Sequence, residues 1–179
     1  MTFTRRFTTV FIAMMLAFSG GFALAQDDAS PEAVEVQEGD GTAFASGIGV
    51  AATAFDERGN PTFTMAVTAV EMDWQDYDPM FTPEAGKMYV KMTIQITNLT
   101  NRPMQVNPYG FTVLDNYGLT AEAGYFWGTS EFTIDPVSIE AGESGVIVTA
   151  FSMWSDSRPM LVMFNPEWNA YTVVHLGEE

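Results

Sequence analysis

The stretch GKMYVKMTIQITNLTNRPMQVNPYGFTVLDNYG, residues Gly86 to Gly118, decides the fold. In its first half Met88, Val90, Met92, Ile94 and Ile96 alternate with Tyr89, Lys91, Thr93, Gln95 and Thr97. A period of two sends these two sets to opposite faces of a β-strand, so the pattern predicts a strand with one face in a core. A helix would spread the same residues around its axis. Asn98 to Pro103 is a polar break ending in proline, where the backbone can leave a ladder. A second strand is predicted from Val106 to Leu114, stopping at the turn signal Asp115-Asn116-Tyr117-Gly118. Together the two halves read as a long hairpin.

Toward the N-terminus, Thr62 to Met72 alternates Phe63, Met65, Val67 and Ala69 against Thr62, Thr64, Ala66 and Thr68. The turn Asp56-Glu57-Arg58-Gly59-Asn60-Pro61 precedes it, and before that FASGIGVAATAF, from Phe44, suits a first strand whose alternation is weakened by Gly47 and Gly49. These segments predict a hairpin. Between them and the central stretch, EMDWQDYDPMFTPE (Glu71 to Glu84) packs five carboxylates, two prolines and three aromatics into what must be a loop.

Toward the C-terminus, Leu119 to Trp127 predicts a short strand, and Phe132 to Ile139 another, with Pro136 marking an edge or a bulge. The turn Ala141-Gly142-Glu143-Ser144-Gly145 leads into Val146 to Trp154, a nearly continuous apolar run that suits a strand buried on both sides. Met160 to Phe164 and Ala170 to Leu176 complete the set, separated by turns at Ser155 to Pro159 and Asn165 to Asn169. Strands recur at spacings of about 8 to 15 residues with turn chemistry between them and no sustained helical period, which predicts an all-β antiparallel sandwich.

Ahead of the domain, Arg5 and Arg6 precede an apolar run from Val10 to Phe18 and then Ala23-Leu24-Ala25. This is the order of a secretory signal peptide, predicted over residues 1–25. Even Val10 to Leu24 falls short of the roughly 20 apolar residues of a spanning helix, so no membrane span is expected after cleavage. Thr4-Arg5-Arg6 matches the arginine pair of a twin-arginine export signal, yet the residues that follow fit it poorly and the strongly apolar run favours general secretion. Residues 26–43, rich in Asp and Glu and nearly free of large apolar side chains, read as an acidic, disordered linker, and residues 44–179 as the folded domain. The expected location is outside the cytoplasm, in the periplasm, at the cell surface or in the medium.

The chain has no cysteine, so neither a lipid-anchoring cysteine nor a disulfide supports it. About 150 mature residues suffice for one core, burying about 70% of the unfolded surface. All 23 Asp and Glu but only five of the seven Lys and Arg lie after Ala25, a formal charge of −18 for the mature chain. That charge repels phosphate backbones and anionic lipid headgroups, which makes nucleic acid and membrane surfaces poor candidates for a partner.

From Thr62 to Pro166 the chain resembles the secreted bacterial immunoglobulin-like domains grouped with the mycobacterial immunoprotective extracellular antigen. The residues that carry the resemblance are Ala85-Gly86-Lys87 before the alternating strand, Asn98 closing it, and Phe111-x-x-x-Asp115-x-x-Gly118. Ala141-Gly142-Glu143 before Gly145 and Phe151, and Phe164-x-Pro166, continue it. Ala141 stands where proline is commoner. The resemblance implies an immunoglobulin-like β-sandwich outside the cytoplasm, without established enzymatic activity and with no catalytic residues to carry over.

The residues agree about catalysis. There is no thiol, His175 is the only imidazole and reads as an edge histidine, and Ser144 lies in a turn that lacks the Gly-x-Ser-x-Gly spacing of a nucleophile elbow. Zinc ligands are not clustered, and Met65, Met88 and Met92 fall on core-facing positions rather than forming a copper site. Glu71, Asp73, Asp76, Asp78 and Glu84 crowd the hard oxygens that calcium takes, though not at EF-hand spacing; a solvated acidic loop is the alternative. Trp74 and Trp127 fall in loops or at strand ends, where exposed rings would stack on sugars, while Trp154 ends an apolar run and reads as core. Asn98-Leu99-Thr100 matches an N-glycosylation pattern and reads as a turn. The expectation is a secreted, non-catalytic binding module that recognises an extracellular or envelope protein through a sheet face or edge. A carbohydrate-binding sandwich with a glycan partner, and a calcium-stabilised adhesion-type domain using the Glu71–Glu84 loop, are the alternatives.

Overall fold

A computed structural model describes residues 43–125, 131–165 and 172–177. The predicted leader and almost all of the acidic linker lie outside the described residues. The strands are β1 (Ala43–Ser46), β2 (Ala51–Phe55), β3 (Pro61–Glu71), β4 (Lys87–Asn98), β5 (Met104–Val106), β6 (Phe111–Asp115), β7 (Thr120–Glu122), β8 (Val137–Ile139), β9 (Ser144–Trp154), β10 (Pro159–Phe164) and β11 (Thr172–His175). They form a five-stranded sheet in the order β1-β11-β10-β6-β7, a four-stranded sheet in the order β2-β3-β4-β9, and a two-stranded ribbon of β5 and β8. This is an immunoglobulin-like β-sandwich, antiparallel except where β1 runs parallel to β11.

The central strand is as long as its alternation implies. Val90, Met92, Ile94 and Ile96 are fully buried and meet Met65 and Val67 of β3 and Ile147 and Phe151 of β9 in the core. Phe111, Val113, Val162, Phe164 and Val174 come from the facing sheet. Phe164 stacks on Phe111 at 4.6 Å and meets the edge of Phe63, from the other sheet, at 5.8 Å. Each such side chain contributes about 1.5–3 kcal/mol by leaving water. The methionines at 65, 88 and 92 are core filling, as their positions predict.

The central stretch is not a hairpin. β4 pairs with β3 on one side and β9 on the other, whereas β6 lies in the opposite sheet between β10 and β7. The crossing is made by β5, which among the described residues pairs only with β8, and by a 3-10 turn at Pro108–Gly110 capped by Asn107. Pro108 interrupts the run predicted as one strand because its ring removes an amide donor. The predicted first strand likewise splits. Gly47 and Gly49, at φ of 105° and 83°, turn the chain between β1 in one sheet and β2 in the other, a backbone that side chains with a Cβ rarely adopt. The β2–β3 hairpin holds, with the Asp56 carboxylate accepting from the Arg58 and Asn60 amides.

Two further strands are shorter than expected. Of Leu119 to Trp127 only Thr120–Glu122 is strand among the described residues, and of Phe132 to Ile139 only the part after Pro136. β8 crosses β9 so closely that a Cβ on Gly145 would sit 2.7 Å from Ile139 Cδ1. β9 is covered on both faces only near Ala150; Trp154 is 47% exposed, contrary to its reading as core, because the strand outruns the layer above it.

Candidate functional site

The Glu71–Glu84 loop is amphipathic in a way that residue types alone do not reveal. Its aromatics turn inward and its acids outward. Trp74, 2% exposed, caps the outer face of the four-stranded sheet together with Phe132 and Ala150, and Tyr77, Phe81, Tyr89 and Val148 pack around them. Trp74 meets the ring of Phe132 edge-on at 4.9 Å and that of Tyr77 at 5.7 Å, and its backbone N–H donates to Tyr89 O at 2.9 Å. Trp74 therefore presents no face to a sugar, which corrects that reading. Trp127 lies outside the described residues.

The acids are distributed among separate partners. Glu71 pairs with Lys91 at 2.7 Å and Glu84 with Lys87 at 2.8 Å. Asp73 accepts from the Gln75 amide at 2.6 Å, and Asp78 caps the 3-10 turn Pro79–Phe81 by accepting from Met80 N. Among the described residues no group of three or more acidic or histidine side chains converges as a metal site would require. The loop supplies a solvated acidic skin over an aromatic plug, and calcium is not favoured there. His175 accepts from Gly177 N at 3.1 Å and Ser144 shares a hydrogen bond with Thr97 at 2.7 Å. Neither adjoins the other.

Lys91 is the clamp of this region. Its ammonium reaches Glu71, lies 3.1 Å from Glu131 and sits 5.6 Å from the Trp74 ring centroid. The hydrogen bond that its ammonium donates to Glu71 raises its pKa above the ordinary 10.5, with burial opposing and Glu131 reinforcing. A raised lysine pKa means that the contribution is complete below 10.5 and lost as pH rises through the folded value. Both carboxylates are about half exposed, so Lys91→Met is expected to cost only about 1 kcal/mol at neutral pH. Melting curves of both proteins at neutral and strongly alkaline pH check this: the difference should close at a pH above the usual lysine range. A difference that persists there means packing, not charge, holds the clamp.

The outer face of the five-stranded sheet is different in kind. Phe44 of β1, Leu161 and Met163 of β10 and Leu114 of β6 point away from the core on the same face as Val173 of β11, which is itself buried, with their neighbours Ala45, Val174, Val162 and Val113 pointing into the core. Phe44 is 50% exposed, its ring 6.5 Å from that of His175. The corresponding face of the four-stranded sheet carries Thr62, Thr64, Thr93, Gln95 and Thr97 where the aromatic plug does not reach. One sheet thus has an ordinary solvated face and the other a contiguous apolar one, of the kind that marks interaction surfaces. The sequence signal was present in PMLVMF, whose flanks are apolar on both parities, but it reads equally as a strand buried on both sides.

With fold and surfaces in view, comparison with known proteins places the chain by architecture. No protein-family model matches it, nor does any curated protein. It is similar in structure to MPT63, a secreted protein of Mycobacterium tuberculosis, at 17% identity over 73% of this chain and 96% of that one, with a TM-score of 0.56. It is also similar to the yjhA protein of Bacillus subtilis, at 12% identity over 74% of this chain and 100% of that one, with a TM-score of 0.54. The ycdA protein of Bacillus subtilis subsp. subtilis matches at 14% identity and a TM-score of 0.53, over 64% of this chain but only 36% of its own length. Identities this low speak for a shared fold alone. At that level the resemblance to secreted immunoglobulin-like domains holds.

Proposed function

We propose that this protein is a secreted, non-catalytic binding module that recognises an envelope or extracellular protein through the outer face of its five-stranded sheet. The observation that supports the reading is the apolar strip of Phe44, Met163, Leu161 and Leu114, exposed or half-buried side chains that adjoin the buried Val173 on one face of the sheet. Its partner is expected to carry an apolar centre and basic surroundings, complementing a chain of formal charge −18 after the predicted leader. The leader and the fold shared with secreted MPT63 support an extracytoplasmic location. Catalysis finds no support in the environments of Ser144 and His175.

Site-specific photo-crosslinking tests this. A benzophenone side chain at Phe44, introduced in the organism that makes the protein, is expected to give one defined adduct. The same label at Thr64, on the other sheet's outer face, should give none. Met163→Asp should abolish the Phe44 adduct while leaving the melting temperature near that of the parent. Adducts of equal yield from both faces, or an adduct indifferent to Met163→Asp, would defeat the reading, and an adduct with a second copy of the chain would make the partner the protein itself.

A further inference from the structure

β7 and β9 are the edge strands of opposite sheets, and they touch at one place. Ala123 bridges Phe151, and Gly124 N–H donates to Ala150 O at 2.8 Å. Beyond that bridge the strands part. They leave a cleft of about 270 Å³ whose sides include Leu119, Thr120 and Ala121 on one strand and Ser152, Met153 and Trp154 on the other. This lies at the lower edge of the size range of ligand pockets and suits a single ring. We propose that this cleft holds one residue of a neutral sugar, stacked on Trp154.

The chemistry of the lining carries the assignment. A pyranose has one apolar face of C–H groups and a rim of hydroxyls, and the cleft offers both kinds of contact. Trp154 and Leu119, 47% and 50% exposed, supply apolar surface at the mouth, and buried Met153 the floor. Thr120 and Ser152 line the two strand edges of the cleft, and Asp115 borders it. The Asp115 carboxylate is held in place by the Tyr117 and Leu119 amides at 2.9 and 2.8 Å, so it is a fixed acceptor for a sugar hydroxyl.

The tryptophan is held in position before any ligand arrives. Its six-membered ring rests against Gly86, where a Cβ would already be 3.5 Å away, and Lys87 Nζ lies 5.6 Å from the ring centroid. A ring fixed in this way loses little side-chain entropy on binding. Lys87 is itself engaged by Glu84 at 2.8 Å. With that cation neutralised and the chain strongly acidic, an acidic sugar would be repelled and a neutral one is selected. The cleft is on the opposite edge of the sandwich from β1 and its Phe44.

The test is a titration of the isotope-labelled protein with glucose, galactose, mannose and N-acetylglucosamine and their β-linked disaccharides, followed through the Trp154 indole N–H resonance. At least one sugar should move that resonance saturably, together with the amides of Leu119 and Thr120. Trp154→Ala should weaken that sugar about tenfold. Thr120→Arg, a change at an exposed position lining the cleft, should abolish the shift without lowering the melting temperature. No shift with any sugar, a shift that survives Thr120→Arg, or a shift produced only by an extended alternating threonine–valine peptide would each overturn the assignment.

Discussion

Asn98→Asp is expected to leave no folded protein at room temperature. The parent side chain is fully buried at the end of β4, where its amide donates to the carbonyls of Arg102, Ile139 and Glu140 at 2.8, 2.9 and 3.2 Å. Its Oδ1 accepts from the Thr100 amide and hydroxyl at 2.9 and 2.8 Å. One residue thus ties the end of the central strand to the loop after it and to the turn before β9. A carboxylate would aim negative charge at three carbonyl oxygens with no donor of its own. Asn98→Ala would instead orphan several of those groups at about 1–3 kcal/mol each, a large part of a typical stability of about 5–15 kcal/mol. Urea unfolding of Asn98→Ala, beside the control Leu99→Ala at an exposed neighbour, measures this; a loss no larger than the control's would refute the role assigned to Asn98.

The second large effect is expected at Trp74. Truncation to alanine removes the ring that Phe132, Tyr77, Tyr89 and Lys91 all contact. Burial of this order costs about 3–5 kcal/mol on truncation, or a fall in melting temperature of roughly 10 °C or more. The damage should be local first. Hydrogen exchange is expected to quicken across residues 72–84 and around Phe132 and Thr133 before it quickens in β3 or β6, because the plug lies outside the main core. Uniform acceleration would show instead that the plug and the sandwich unfold as one unit.

How far the sequence spoke for this structure depended on which property was asked of it. Alternation in Met88 to Ile96 and in Phe63 to Val67 named the buried face correctly, because side-chain direction in a strand is set by parity alone. Turn residues were equally plain: Asp115 and Gly118 close the turn expected of them, with Gly118 at a φ of 77°. Parity says nothing about which strand lies alongside, and so β4 and β6 read as hairpin partners although they occupy different sheets. The same limit hid the surfaces. Trp74 and Trp154 differ in exposure because one lies under its own loop and the other beyond it, a fact of tertiary placement. The acidic loop misled in the same way, since its spacing shows the carboxylates and not the aromatic side that holds them down.

The parallel pairing of β1 with β11 has a mechanical consequence. Four registered residue pairs join these strands, and Gly47 N–H adds a bond to His175 O at 2.7 Å. Because the strands run in the same direction, the start of the first and the finish of the last lie at opposite ends of this ladder. A pull applied between them loads the ladder lengthwise, so its bonds must give together and cannot peel one at a time. A domain held at one terminus and tugged at the other would meet the force with its strongest geometry.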